Sequence, residues 1–120
     1  MPTPIRALVF LVVLLGWFPA EAQLLGLGFE SNIELTKHDL DIIHSTVDGQ
    51  VHGRPVGTAA SWSNPSSGNF GTIKLMKRYT ANGRPCETVE YTLATRQMPV
   101  PPEHYSLDSC MLPNGQWRIT

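Results

Sequence analysis

Apolar residues along this chain change their spacing twice, and each change marks a different kind of segment. From Ala7 to Phe18 they run without a break. Leu40, Ile43 and Val47 then recur three and four residues apart, the period of one helix face. Beyond Thr58 apolar and polar residues alternate, the period of strands buried on one side. The helix has a written start. Thr36 is the N-cap, Asp39 answers it three residues on, and Leu35 staples against Leu40. Asp39 and Asp41 sit in the first turns, where the helix dipole favours negative charge. Asp48-Gly49 ends it, so the pattern predicts a helix over 36–48. Residues 23–35 form an extended lead-in, and 49–57, with three glycines and a proline, a connector.

The rest, 58–120, reads as a sheet. Strands are expected over Thr58–Ser63, Thr72–Tyr79, Cys86–Thr95, Tyr105–Met111 and Gln116–Ile119, with a breaker-rich turn over Asn64–Gly71. Met98–Glu103 carries three prolines and forms a stiff connection rather than a central strand. Two hairpins share an x-Asn-Gly loop, Ala81-Asn82-Gly83 and Pro113-Asn114-Gly115. A two-residue Asn-Gly turn in the first would set Ile73, Leu75 and Tyr79 on the face of Thr88, Glu90 and Thr92, splitting the apolar set. A three-residue loop brings Leu75 opposite Val89, Ile73 opposite Tyr91 and Lys77 opposite Glu87. In the second hairpin it brings Met111 opposite Trp117 and Ser109 opposite Ile119. The core face then holds Ile73, Leu75, Tyr79, Val89, Tyr91, Leu93, Tyr105, Leu107, Trp117 and Ile119. Lys74, Met76, Arg78 and Thr88 share the outer face with Cys86 and Cys110. One apolar face needs one cover, which makes this an α+β fold with a short helix on an antiparallel sheet of four to five strands.

Residues 1–22 stand apart from that fold. Arg6 precedes the twelve-residue apolar run, and Pro19-Ala20-Glu21-Ala22 follows with small residues at the positions a signal peptidase reads. A membrane span needs about 20 apolar residues. The expectation is a secretory signal peptide cut after Ala22. Gln23 is not the Cys that a bacterial lipoprotein acylates, so the mature chain is expected without a transmembrane span or lipid. Cleavage removes Arg6 with Glu21 and leaves the net charge of −1 unchanged. A near-neutral chain offers no footprint for nucleic acid. Export favours a disulfide between Cys86 and Cys110, the alternative being two buried thiols; closing that loop contributes about 3 kcal/mol.

From Trp62 the string Trp-Ser-Asn-Pro-Ser-Ser-Gly-Asn-Phe-Gly, ending at Gly71, resembles a recurring string of exported bacterial envelope proteins, Trp-x-Asn-Pro-x-Ser-Gly-x-x-Gly. These are the surface antigens related to the rickettsial seventeen-kilodalton antigen. Tyr79, Gly83, Cys86, Cys110 and Asn114-Gly115-Gln116-Trp117-Arg118-Ile119 follow in the family's order. The chain departs from the family at Glu87, where members often carry Arg, and at Leu107-Asp108-Ser109. The resemblance implies an envelope location, in the periplasm, at the outer membrane or on the cell surface. It carries no agreed activity.

The chemistry-bearing residues form no assembled set. His38 and His44 are six apart and do not share a helix face as an i, i+4 pair would; with His52 and His104 they read as exposed histidines. Ser66 and Ser67 precede Gly68 without a Gly-x-Ser-x-Gly arrangement. The loop residues Trp62, Asn64, Pro65, Ser67, Gly68 and Gly71 are the most informative surface. The glycines there either aim backbone N–H groups at an anion or simply join two strands, with Gly68 and Gly71 in strained backbone angles. Trp62 and Trp117 either pack in the core or line a groove. No cofactor, metal site or catalytic residue is expected. The expected function is contact with an unidentified envelope component, whether protein, glycan or lipid. The alternative is a secreted module that inhibits a hydrolase.

Overall fold

The computed structural model describes residues 31–120. The expected signal peptide and most of the lead-in lie outside the described residues. Helix α1 spans Lys37–Gln50, and the strands are β1 (Ala59–Asn64), β2 (Asn69–Ala81), β3 (Arg84–Thr95), β4 (Glu103–Met111) and β5 (Trp117–Ile119). The strands pair antiparallel in chain order, β1-β2-β3-β4-β5, and α1 packs chiefly on β1. This is the α+β arrangement that the alternation and the single helical stripe require. Among the described residues no helix is long and apolar enough to cross a membrane.

The helix begins as its sequence dictates. Thr36 Oγ1 accepts from the Asp39 N–H at 3.0 Å, and Asp39 Oδ2 accepts from the Thr36 N–H at 2.8 Å, a reciprocal capping box. Its end differs from expectation. Gly49 lies inside the helix, the N–H groups of Val51 and His52 both reach the Val47 carbonyl, and the chain reverses at Gly53, φ +77°. The apolar stripe explains the overrun. Val51 continues the spacing of Leu40, Ile43 and Val47 and is fully buried, so packing carries the helix past its glycine.

The core joins this stripe to Ile33, Ala60, Trp62, Ile73, Leu75, Val89, Tyr91 and Leu93. Ile43, Ile73, Leu75, Val89 and Leu93 are fully buried, worth about 1.5–3 kcal/mol apiece. Tyr105, Leu107 and Ile119 pack against the edge of this cluster.

The two hairpins solve the register problem differently. In β4–β5 the N–H of Leu112 donates to the Gln116 carbonyl, and Gly115 takes φ +88°. The loop is the expected three-residue one, with Met111 opposite Trp117 and Ser109 opposite Ile119. In β2–β3 Ala81 pairs with Arg84 around a two-residue turn, Asn82 at φ +50° and Gly83 at φ +73°. A bulge between Leu75 and Lys77 then inserts Met76 as an unpaired residue and restores Leu75 opposite Val89 and Ile73 opposite Tyr91. Between bulge and turn the side chains of β2 are reversed relative to expectation, while those of β3 keep their faces. Lys77 faces Thr88 rather than Glu87, Arg78 turns inward opposite Glu87, and Tyr79 leaves the core face to stand opposite Cys86.

Candidate functional site

The loop that carries the recurring string is a structural clamp centred on Asp39. Asn64 and Asn69 close the β1–β2 hairpin across Pro65–Gly68. Pro65 follows Asn64 in a turn closed by the Ser67 and Gly68 N–H groups donating to the Asn64 carbonyl, 3.2 and 2.9 Å. Gly68 holds φ +78°. This turn gathers three side chains onto the helix start. Asp39 Oδ1 accepts from Asn64 Nδ2 at 2.8 Å and Ser67 Oγ at 2.6 Å. Its Oδ2 accepts from Asn69 Nδ2 at 2.7 Å and the Thr36 N–H. Asp39, Asn64, Ser67 and Asn69 are all buried.

A carboxylate has about four acceptor positions, and those of Asp39 are filled by donors of the chain itself. Burial pulls its pKa upward, but the hydrogen bonds from Ser67, the Thr36 backbone, Asn69 and Asn64 outweigh that pull and hold it below its ordinary value of 3.8. An ionised carboxylate with every acceptor occupied has nothing left for proton transfer or a metal ion. Ser67 is equally engaged. Its Oγ donates to Asp39 and accepts from the Asn69 N–H at 3.1 Å.

The last glycine of the string serves close packing. Gly71 is absent from the positive-φ positions, contrary to expectation. A Cβ there would lie 1.7 Å from the Thr92 carbonyl oxygen and 2.9 Å from Trp62 Nε1. Strand β3 and the Trp62 indole therefore occupy the space a side chain would need. Trp62 belongs to the core, and its Nε1–H has no partner among the described residues.

A second buried carboxylate holds the other end of the helix. Glu87 is fully buried, accepts from the Gly53 N–H at 2.9 Å, lies 2.7 Å from His52 Nδ1, and meets Arg78 at 3.4 Å. The Arg78 guanidinium also donates to the Arg54 carbonyl. The His52 side chain is 5% exposed and stacks on Trp117 at 4.8 Å. His52 is therefore a packed histidine, where an exposed one was expected. Trp117, expected on the core face, is only half-buried and lies outside the core cluster, its ring covering His52 instead. Sequence spacing missed this group because the Met76 bulge is what turns Arg78 towards Glu87. The one available signal was Glu87 itself, a carboxylate on the core side of a strand.

On the outer face Cys86 and Cys110 sit directly opposite in β3 and β4 and form a disulfide. Tyr79 lies nearby, its pKa raised by burial and then by Asp108. His38 and His104 are exposed, and His104 Nδ1 lies 3.2 Å from Thr92 Oγ1. Among the described residues no three His, Cys, Asp or Glu side chains are grouped to hold a metal ion.

No family model matches the chain, and no solved structure matches it. It is similar to two curated proteins, each named 17 kDa surface antigen, from Rickettsia bellii strain RML369-C and from Rickettsia bellii. Each is 30% identical over 86 residues, which is 71% of this chain and 52% of the relative. The chain thus spans about half the length of these relatives. This identity supports a relation between the chain and the 17 kDa surface antigens.

Proposed function

We propose that this is an exported, non-catalytic protein of the cell envelope that works by contact with another envelope component. The observation that carries the reading is the inward turn of the string. Asn64, Ser67 and Asn69 spend their polar groups on Asp39, so the string that resembles the surface antigens maintains a shape rather than a reaction. The name of the similar proteins supports a surface location, and the Cys86–Cys110 disulfide supports an oxidising compartment. Residues 1–22 act in this reading as the export signal. A shape kept by internal clamps leaves the outward sheet residues as the working surface.

Photo-crosslinking in the native host tests this, with the crosslinker placed at exposed Thr72, Lys74 or Ser106. The expected result is a crosslinked adduct in the envelope fraction, carrying a chain that lacks residues 1–22 and has an oxidised cysteine pair. A cytosolic chain with both thiols free and no adduct would overturn the reading.

A further inference from the structure

The two ends of the sheet are built differently. β5 is three residues long and carries Arg118, a short charged edge that discourages pairing. β1 is six residues long, Ala-Ala-Ser-Trp-Ser-Asn, with no charge, proline or glycine. Its outer side pairs with no strand among the described residues. The Leu75 N–H donates to the Thr58 carbonyl, so alternate residues from Thr58 turn their backbone groups to β2. Ala59, Ser61 and Ser63 turn theirs outward, and all three are exposed.

A hollow of about 360 Å³ opens on the outer face beside this same edge. Ser61 and Ser63 line it at β1, with Phe70, Ala94 and Pro102 as apolar wall. Arg96, its one charged lining residue, lies over the Phe70 ring at 4.3 Å. Small side chains at the edge leave this hollow open to whatever pairs there.

We propose that the outer edge of β1, unpaired among the described residues, receives an extended segment of a partner polypeptide. A large apolar side chain of that segment fills the hollow beside Phe70, and an acidic residue two positions along, on the same face, pairs with Arg96. Backbone pairing supplies the attachment, and alternate side chains supply the selectivity. A second copy of this chain does not fit the role. Pairing β1 with β1 brings only Ala59, Ser61 and Ser63 to the hollow, too small to fill it and without an acid for Arg96. This rests on the contact function proposed above and assigns the place and the partner class.

The test uses the full, disulfide-bonded chain and capped nine-residue threonine peptides followed by amide NMR. One peptide carries tryptophan with glutamate two residues on; a second has lysine for glutamate, and a third threonine for tryptophan. The glutamate peptide is expected to shift the amides of Ala59, Ser61, Ser63 and Arg96, and the other two to bind more weakly. Ser61→Pro removes an outward N–H without touching the β2 ladder and is expected to abolish binding. Should that variant fail to fold, Arg96→Glu decides alone, by transferring preference to the lysine peptide. Binding at another face, binding indifferent to both substitutions, no binding by any peptide, or a dimer formed through β1 each overturns the proposal. An envelope partner crosslinked equally well by wild type and Ser61→Pro sinks this inference while leaving the contact function standing. Absence of any partner sinks that function instead.

Discussion

Two glycines of one string show how differently a single residue type is used. Gly68 needs its positive φ, whereas Gly71 needs the room taken by Thr92 and Trp62. Gly68→Ala meets left-handed strain and is expected to cost about 1–2 kcal/mol. Gly71→Ala pushes a methyl into a backbone carbonyl that cannot give way, and is expected to cost more than Gly68→Ala or to prevent folding. Urea unfolding of the two variants checks the order; an equal or smaller loss at Gly71 contradicts the close approach. Asp39→Asn replaces an acceptor-only group by one whose amide faces other donors. Losing charge-assisted bonds at a buried site is expected to cost about 3 kcal/mol, measured the same way.

At the level of elements, what could be read in advance depended on the sequence distance of the partners. The capping box of Thr36 and Asp39 is three residues wide and legible in the sequence. The other partners of Asp39, at Asn64, Ser67 and Asn69, lie 25, 28 and 30 residues away. Only the folded hairpin brings them there, so Asp39 read as an ordinary first-turn acid. The β2–β3 pairing meets the constraint that alternation sets, but by a bulge rather than by a three-residue loop. Facing apolar sets require Leu75 opposite Val89, but alternation alone does not say whether a loop or a bulge supplies the shift. The Asn-Gly turn won locally, and Met76 absorbed the residue left over. Deleting Met76 is therefore expected to leave Leu75 opposite Val89 and Arg78 opposite Glu87. Cross-strand nuclear Overhauser contacts check it; a chain slipped by one residue, with Arg78 on the outer face, contradicts it. Glu87→Ala strips His52 and the Gly53 N–H of their buried partner. It is expected to lose about 3–5 kcal/mol, with early exchange of the last helical turn.

For the whole molecule, the helix is held to the sheet at both ends by buried carboxylates, Asp39 at its start and Glu87 just beyond its finish. The disulfide, on the opposite face, ties β3 to β4 and leaves the helix to the two clamps. Its reduction is expected to lower stability by about 3 kcal/mol without releasing the helix. The Asp39 clamp also sets how the molecule meets acid. Its folded pKa is depressed, so its contribution is complete above the ordinary 3.8 and fades as pH falls through the lower folded value. The stability gap between wild type and Asp39→Asn should accordingly be constant at neutral pH and narrow only below that point. The most direct measurement is the NMR titration of the Asp39 carboxyl carbon in the folded protein. A midpoint below 3.8 is the expected result, because the donors of the string outweigh burial. A midpoint above it would mean that burial acts unopposed, that Asn64, Ser67 and Asn69 do not point at Asp39, and that the string serves something other than the fold.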